Sequence, residues 1–563
     1  MVANGSTSTI PHLSAKEYCN YPAKSEEKIL LKQALLPNEL NDPICEKLAE
    51  YLTIHQSDTV SIVFSAYNLH APASMFGHTL LKFSKGTAST DLLDMAINYG
   101  AKVTTSNPIM YAWKGLWGGF KGEFSSLPYY YKIREYNDFE SRDLWTYDLD
   151  LTNYQKQILL FYLWEYGQKD LDYYYFDENC SYLLLKLLDM TLPHKNILKD
   201  FFTTYVIPID TVKILDKVGL IKHTSLRPSL RYKSIKIFEQ LTEFEKSTVL
   251  DFIKKDDVDE KSIQSMNKES AANILEGLIS AYDYLYAQDI LLEKGERYQQ
   301  KKKILELRSK IDSLGKNFDI SGDIKQSPVL GHSTHRFGFG QMMGRFRNGN
   351  TRNETILTAR AAIHDELDPP NGWPREMSVD MLSMQLAYNW NTDNFPFHLK
   401  NLDVLKIETK NPVNALRWEK TIKMRLGIST QMNKYYDEYV VPDLVVGGGV
   451  SIPLNNPQNT SNNILWTNTI DTQLNYGKKF DRYPFRLGMG LHSSLRYWYS
   501  DQWVNLIKFE SWRYLYKEKG NSFLSIESRF HTSSSFSIGI TGMKSFSRSP
   551  LKDSVSLLLY YFL

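Results

Sequence analysis

The sequence predicts a multi-domain chain: an α+β N-terminal domain, a helical connector and a C-terminal antiparallel β-barrel of about 12 strands. Three observations lead there. At 563 residues the chain is long enough for two or more domains. Its pattern changes character near residues 230 and 325. From the second change to the end, apolar and polar residues alternate again and again with period 2. The predicted segments are 1–56 (helical), 57–228 (α+β), 229–324 (helical connector) and 325–563 (barrel).

In the first segment "EEKILLKQALL" and "PICEKLAEYLTIH" have helical spacing. "DTVSIVFSAYNL", "HTLLKFSKG" and "DLLDMAINYGA" then read as strands, the last two separated by the turn-prone "SKGTAST". The glycine- and aromatic-rich stretch beginning "KGLWGGFKGEF" predicts a lid-like loop followed by strands. "TNYQKQILLFYLWEYGQK" opens with a Thr cap and continues as a helix. After it comes "YYYFDENCSYLLLKLLD", an aromatic and acidic lead-in to an apolar helix. The stretch within 230–316 has many helix formers and predicts one or two long charged helices, a spacer or packing unit.

In the last segment Leu382, Met384, Leu386 and Tyr388 share one face of a strand. Ile422, Met424, Leu426 and Ile428 oppose Lys423 and Arg425, and Leu524, Ile526 and Phe530 oppose Glu527, Arg529 and His531. Long strands of this kind, with polar turns and aromatics near their ends, are what a transmembrane barrel requires, because lipid cannot satisfy an open sheet edge. A soluble β-sandwich also alternates and is the competing reading.

Lys plus Arg number 66 and Asp plus Glu 64, so no strong general field would hold a nucleic acid, and none is expected as a partner. No apolar run approaches the roughly 18 residues of a membrane helix. "MVANGSTSTIPHLS" lacks a signal-peptide core; the expectation is a mature chain from which the signal has been removed. Of three cysteines, Cys19 and Cys45 lie close enough in sequence to pair in an oxidising compartment, which would leave Cys180 free. There is no metal-type cysteine cluster, phosphate loop or dinucleotide motif, and no cofactor or metal is expected.

Cys180 stands at the mouth of its helix, where the helix-end partial charge favours a thiolate. A nucleophile needs a base. Among 12 histidines, His78 follows a glycine and opens an apolar strand, which suits one. Asn98 on the next predicted strand could accept the other ring N–H and hold the tautomer. The backbone N–H of Cys180 and a second donor, with Tyr67 a candidate, would form an oxyanion hole. Asn179, Trp117 and Phe120 are further substrate-contact or oxyanion candidates. Each residue alone has a plainer reading: a small buried Cys, a satisfied His, and Asp177 and Glu178 as ordinary helix-start carboxylates.

Together, "SMFGHTLLKF", "INYGA", "GGFKGEF" and "FDENCSYLLLKLLD" resemble the Lnb N-terminal periplasmic domain family over roughly residues 57–200. That family is related to circularly permuted, papain-like (NlpC-type) thiol enzymes and to the lecithin:retinol acyltransferases. The resemblance implies a permuted papain-like fold in which the histidine strand precedes the cysteine helix, with Cys180 as nucleophile, His78 as base and Asn98 as orienting residue. Members bearing the Lnb name move an acyl chain from a phospholipid to a lipoprotein's N-terminal amine and carry C-terminal membrane helices. A barrel in that place departs from their pattern and shifts the expected location to the outer membrane, with the catalytic domain in the periplasm. The expectation is therefore a thiol acyltransferase or acyl hydrolase acting on a phospholipid or lipoprotein beside outer-membrane lipid. The competing expectations are a cell-wall peptide amidase, and a barrel channel with a binding module. Oligomeric state is not legible.

Overall fold

The computed structural model describes residues 15–24, 42–67, 76–86, 88–175, 178–199, 206–391, 396–432, 438–455, 463–477, 484–515, 520–546 and 550–563. They fall into two units, Met1–Ile324 and Lys325–Leu563. The first is built on an antiparallel sheet of β1 (Thr59–Ser65), β2 (His78–Ser84), β3 (Met95–Lys102), β4 (Phe120–Pro128), β5 (Leu144–Leu149), β6 (Leu171–Tyr173) and β7 (Ile221–Arg227). Their order across the sheet is β6-β4-β3-β2-β1-β5-β7. The central strands β1 and β2 are buried at successive residues, so both faces are covered; this is why TVSIVFS and HTLLKFS read as apolar runs. The stretch expected as one strand before β3 is divided: Ala88–Leu93 is a tight helical turn, and the strand starts at Met95.

Before the sheet lie α1 (Ala15–Asn20) and α2 (Pro43–His55). A Cys19–Cys45 disulfide joins them, with Cα atoms 5.1 Å apart, and packs with Leu48 and Phe161. The "EEKILLKQALL" segment lies outside the described residues. The bridge closes a loop with a sequence separation of 26, so loop entropy alone stabilises the fold by about 3 kcal/mol. Cys19→Ser with Cys45→Ser should lower the thermal midpoint accordingly, read by circular dichroism; an unchanged midpoint would show that α1 contributes nothing to the fold.

The expected lid-like loop proves to contain a helix, α3 (Pro108–Trp117), ended by Gly118 at φ +83°. The sequence reading counted Gly115 as a loop residue. It lies inside the helix, and the position is glycine because a Cβ there would meet the Tyr175 ring at 2.1 Å. α4 (Asn153–Gly167) starts, as expected, at a Thr152 capping box closed by Gln155. α5 (Cys180–Thr191) and α6 (Pro208–Lys217) follow.

The connector differs from one or two long helices. It is α7 (Leu230–Gln240), α8 (Glu243–Lys255), α9 (Glu260–Ser265), α10 (Lys268–Leu285), α11 (Ala287–Leu291) and α12 (Gly295–Lys310). Caps at Thr242, Asp259 and Asn267, and positive φ at Asp256, Glu293 and Gly295, break the run. α10 buries Ile274, Leu275, Leu278 and Tyr282, so it is the core of a small bundle rather than an exposed spacer.

The second unit is a closed barrel of twelve strands, all pairs antiparallel. These are β8 (Arg336–Phe346), β9 (Thr351–His364), β10 (Met377–Asn389), β11 (Phe397–Lys410), β12 (Thr421–Met432) and β13 (Glu438–Pro453). They continue as β14 (Asn463–Tyr476), β15 (Phe485–Ser500), β16 (Trp503–Tyr514), β17 (Asn521–His531), β18 (Phe536–Ser545) and β19 (Leu551–Phe562). The alternation seen in sequence is the wall itself. Ile422, Leu426, Met489, Leu491, Ile526 and Phe530 are exposed on the outside. Arg336, Arg360, Arg496 and Arg529 are buried in the lumen. Exposed aromatics ring both rims: Trp390, Phe397, Tyr476 and Phe485 at one, Phe337, Trp503, Phe530 and Tyr561 at the other.

Residues 365–376, between β9 and β10, fold into the lumen. Glu366 accepts from Lys410 on β11 at 2.7 Å and lies 3.7 Å from Arg496 on β15 and Lys508 on β16. Asp368 pairs with Arg336 on β8, Arg360 on β9 and Arg529 on β17 at 2.6, 2.6 and 2.9 Å. Leu367 packs with Trp498, Val504 and Leu506. A loop outside the wall could not reach six strands spread round the ring. Trp373 stacks on His332 and His364, which joins the pre-barrel segment to the same plug.

Candidate functional site

Two sequence steps build the site. The first is Gly77-His78. Gly77 has φ +80°, and a Cβ on it would meet Phe64 at 2.6 Å and the Ser65 carbonyl at 2.8 Å. Only glycine lets the chain approach β1 this closely before His78 opens β2. On β3, Ile97 faces Leu81; continuing that register puts His78 and Asn98 on the same face as diagonal neighbours.

The second step is Asn179-Cys180. Asn179 caps α5: its Oδ1 accepts from the N–H groups of Ser181 and Tyr182 at 2.9 and 3.1 Å. Its Nδ2 donates to the carbonyls of Tyr175 at 2.9 Å and Val206 at 2.5 Å. All four bonds of the amide are used, so Asn179 fixes the start of the Cys180 helix and has no free group for a ligand. Asn179→Ala should remove about 1–2 kcal/mol of capping and leave two carbonyls without donors. Asn179→Asp, which keeps the acceptor and loses the donors, should fall between, measured by thermal unfolding. An alanine variant as stable as wild type would rule out the clamp.

These steps bring together the three residues expected from sequence. Cys180 Sγ lies 3.3 Å from His78 Nδ1, and His78 Nε2 hydrogen-bonds Asn98 Oδ1. An amide oxygen can only accept, so Nε2 carries the hydrogen and Nδ1 is left to exchange a proton with sulfur. The thiol is 3% exposed. Burial alone would push it up; the charge and hydrogen bond of His78, the Thr79 backbone and Ser181 outweigh burial, and the thiol is lowered to about 6. Burial likewise pushes His78 down, while the Cys180 charge and the bonds to Cys180 and Asn98 raise it above its ordinary value. Both shifts favour the thiolate–imidazolium form of the pair.

The remaining candidates are placed as follows. Phe120 is buried against Tyr111 and belongs to the core. Trp117 is exposed on α3, its ring 5.8 Å from that of Trp113. Tyr67 is buried edge-on against Phe64, in the field of Asp210 and Tyr147. Glu178 is exposed, and Asp177 lies outside the described residues. Two tyrosines at the site carry no role in the sequence reading. The Tyr173 hydroxyl hydrogen-bonds the Cys180 backbone, and burial holds that phenol well above its ordinary range. The Tyr136 ring lies 5.7 Å from the His78 ring. The available signal for Tyr173 was its place on the short strand seven residues before the cysteine.

One group of metal-ligating types occurs among the described residues, His332, His364 and Asp368 in the barrel. Three arginines already surround Asp368, and His332 Nε2 lies 2.8 Å from His364 Nδ1. That positive surrounding disfavours a cation and makes the group part of the plug.

A closed antiparallel barrel with an apolar outer wall and a charged lumen defines an outer-membrane protein, here carrying a separate α/β module. Residues 47–218 match the Lnb N-terminal periplasmic domain family, so the module is periplasmic. Residues 325–562 match a domain of unknown function, DUF7840. Comparison with curated proteins finds no match. Among solved structures, an outer membrane channel from Pseudomonas putida is similar at 9% identity and a TM-score of 0.27, covering 42% of this chain and 96% of that one. The NanC porin is similar at 8% identity and a TM-score of 0.25, covering 41% and 99%. Among the described residues no helix is long and apolar enough to cross a membrane.

Proposed function

We propose that the chain is a thiol acyltransferase or acyl hydrolase that works on a phospholipid or lipoprotein from the periplasmic side of the outer membrane. The observation that carries this reading is the buried sulfur 3.3 Å from an imidazole whose far nitrogen is held by Asn98. The Cys180 thiolate attacks the carbonyl carbon of an acyl ester. The C–O bond breaks, and the leaving alkoxide takes the proton from His78 Nδ1. A thioester remains. An amine or water then attacks it, gives its proton to His78, and expels the thiolate. The Cys180 N–H, which donates to the Tyr173 hydroxyl, is the nearest backbone donor for an oxyanion.

The same machinery would cleave a cell-wall amide. The lipid reading is favoured because the chain carries its own membrane barrel. The lumen plug speaks against the channel reading. The test is intact mass after incubation with phospholipid vesicles. Wild type should gain an acyl-sized mass that hydroxylamine removes, and Cys180→Ala should gain none. No adduct and no lysophospholipid in any sample would overturn the lipid reading and send the chemistry to peptides.

A further inference from the structure

Among the described residues the outer face of α3 has no partner in its unit. Met110, Trp113 and Trp117, at helical positions i, i+3 and i+7, are 47, 61 and 68% exposed, and Val103 just before them is 51% exposed. The helix cannot turn to hide this stripe, because its other face is pinned. Tyr111 packs on Phe120 and Tyr175, and the Gly115 carbonyl accepts from the Tyr175 N–H at 2.9 Å. A Cβ at Gly118 would meet Tyr174 at 2.6 Å. The two tyrosines that hold the helix from outside, Tyr174 and Tyr175, lie just before Cys180 in the chain.

We infer that this stripe docks on the surface of a phospholipid leaflet, with Trp113 and Trp117 at the boundary between headgroups and acyl chains. Tryptophan is the residue of that boundary, and a short helix with one apolar face lies in its plane. The barrel in the same chain settles the choice of occupant. It tethers every copy of the module beside a leaflet, so docking is an intramolecular event at high effective concentration and needs little area to persist. Charge adds little: the flanking Lys102 and Lys121 are matched by Glu123 and Asp172. The contact is therefore apolar and should survive salt. Functionally, the inner face of α3 then links the leaflet to the segment that positions the nucleophile. The docking rests on the barrel and the exposed stripe and stands without the acyl-transfer reading.

The test uses the full chain in vesicles of phosphatidylethanolamine and phosphatidylglycerol, in wild-type and Cys180→Ala backgrounds. Benzoylphenylalanine is placed at 113 or 117, with the exposed position Phe244 on α8 as control. After illumination, peptides bearing 113 or 117 should carry phospholipid adducts in both backgrounds and at high salt, at least tenfold above position 244. Equal adducts at all three positions, or cross-links from 113 and 117 to this chain's own barrel or to a second protein, would overturn it. Because the adduct forms without Cys180, a failed thioester assay and a failed docking are separable.

Discussion

Iodoacetamide should alkylate Cys180 with a pH midpoint at about 6, the value to which His78 lowers the buried thiol. In His78→Ala the burial that pushes the thiol up is unopposed, and the midpoint should move to or above the ordinary 9.0. At pH 7 that removes about 99% of the thiolate; a more basic sulfur is intrinsically more reactive, so the alkylation rate falls by only about fivefold. Turnover should fall much further, by about 10²–10⁴, because the proton donor to the leaving group is lost as well. The sign of the pH profile follows from the two shifts. Activity is lost as pH falls through about 6, where sulfur takes a proton. It is lost again as pH rises through the raised His78 value, where the imidazolium gives one up. A midpoint unchanged in His78→Ala would show that something else ionises the thiol.

The second large effect concerns the barrel. Eight strands are filled by their own side chains and sixteen leave an aqueous channel; twelve lie between, with room in the lumen for a filling. Residues 365–376 supply it. Glu366 faces Lys410, Arg496 and Lys508, and Asp368 faces Arg336, Arg360 and Arg529. Such buried pairs add little net stability, but removing one partner leaves uncompensated charge at about 3–5 kcal/mol. The wild-type chain in a planar bilayer should therefore show no stable single-channel conductance. Glu366→Gln with Asp368→Asn should produce openings, and replacement of 365–376 by a short turn should hold the pore open. Steady conductance of the wild type would refute the seal and revive the channel reading.

Much of this was legible because period and punctuation are local. The wall of β12 follows from Ile422, Met424, Leu426 and Ile428 alternating with Lys423 and Arg425, and α4 from its Thr152 cap. Cys180 and His78 could be singled out because each opens a helix or strand that caps and alternation reveal, and Asn98 because it lies on the next strand. What failed was set by distant contacts. Gly115 looks like a loop residue until Tyr175 is placed against it. The breaks at Asp259 and Asn267 are caps inside a run rich in helix formers. The plug is invisible because residues 365–376 have no period, and their partners lie on strands up to 161 positions away. Tyr173 was hidden for the same reason: its role depends on a backbone N–H across the site.

The orienting group beside His78 is an amide, not a carboxylate. Among the described residues the imidazolium thus has one formal counter-charge at close range, the thiolate itself. Acylation of Cys180 would erase that charge. Burial, no longer offset by that charge, would then favour the neutral form of His78, the form that accepts a proton from an incoming amine or water. With a carboxylate in place of Asn98 the imidazolium would persist through the intermediate. In the proposed reaction the neutral amide would make the histidine an acid before the sulfur is loaded and a base afterwards, so the bond that forms would also time the step that breaks it.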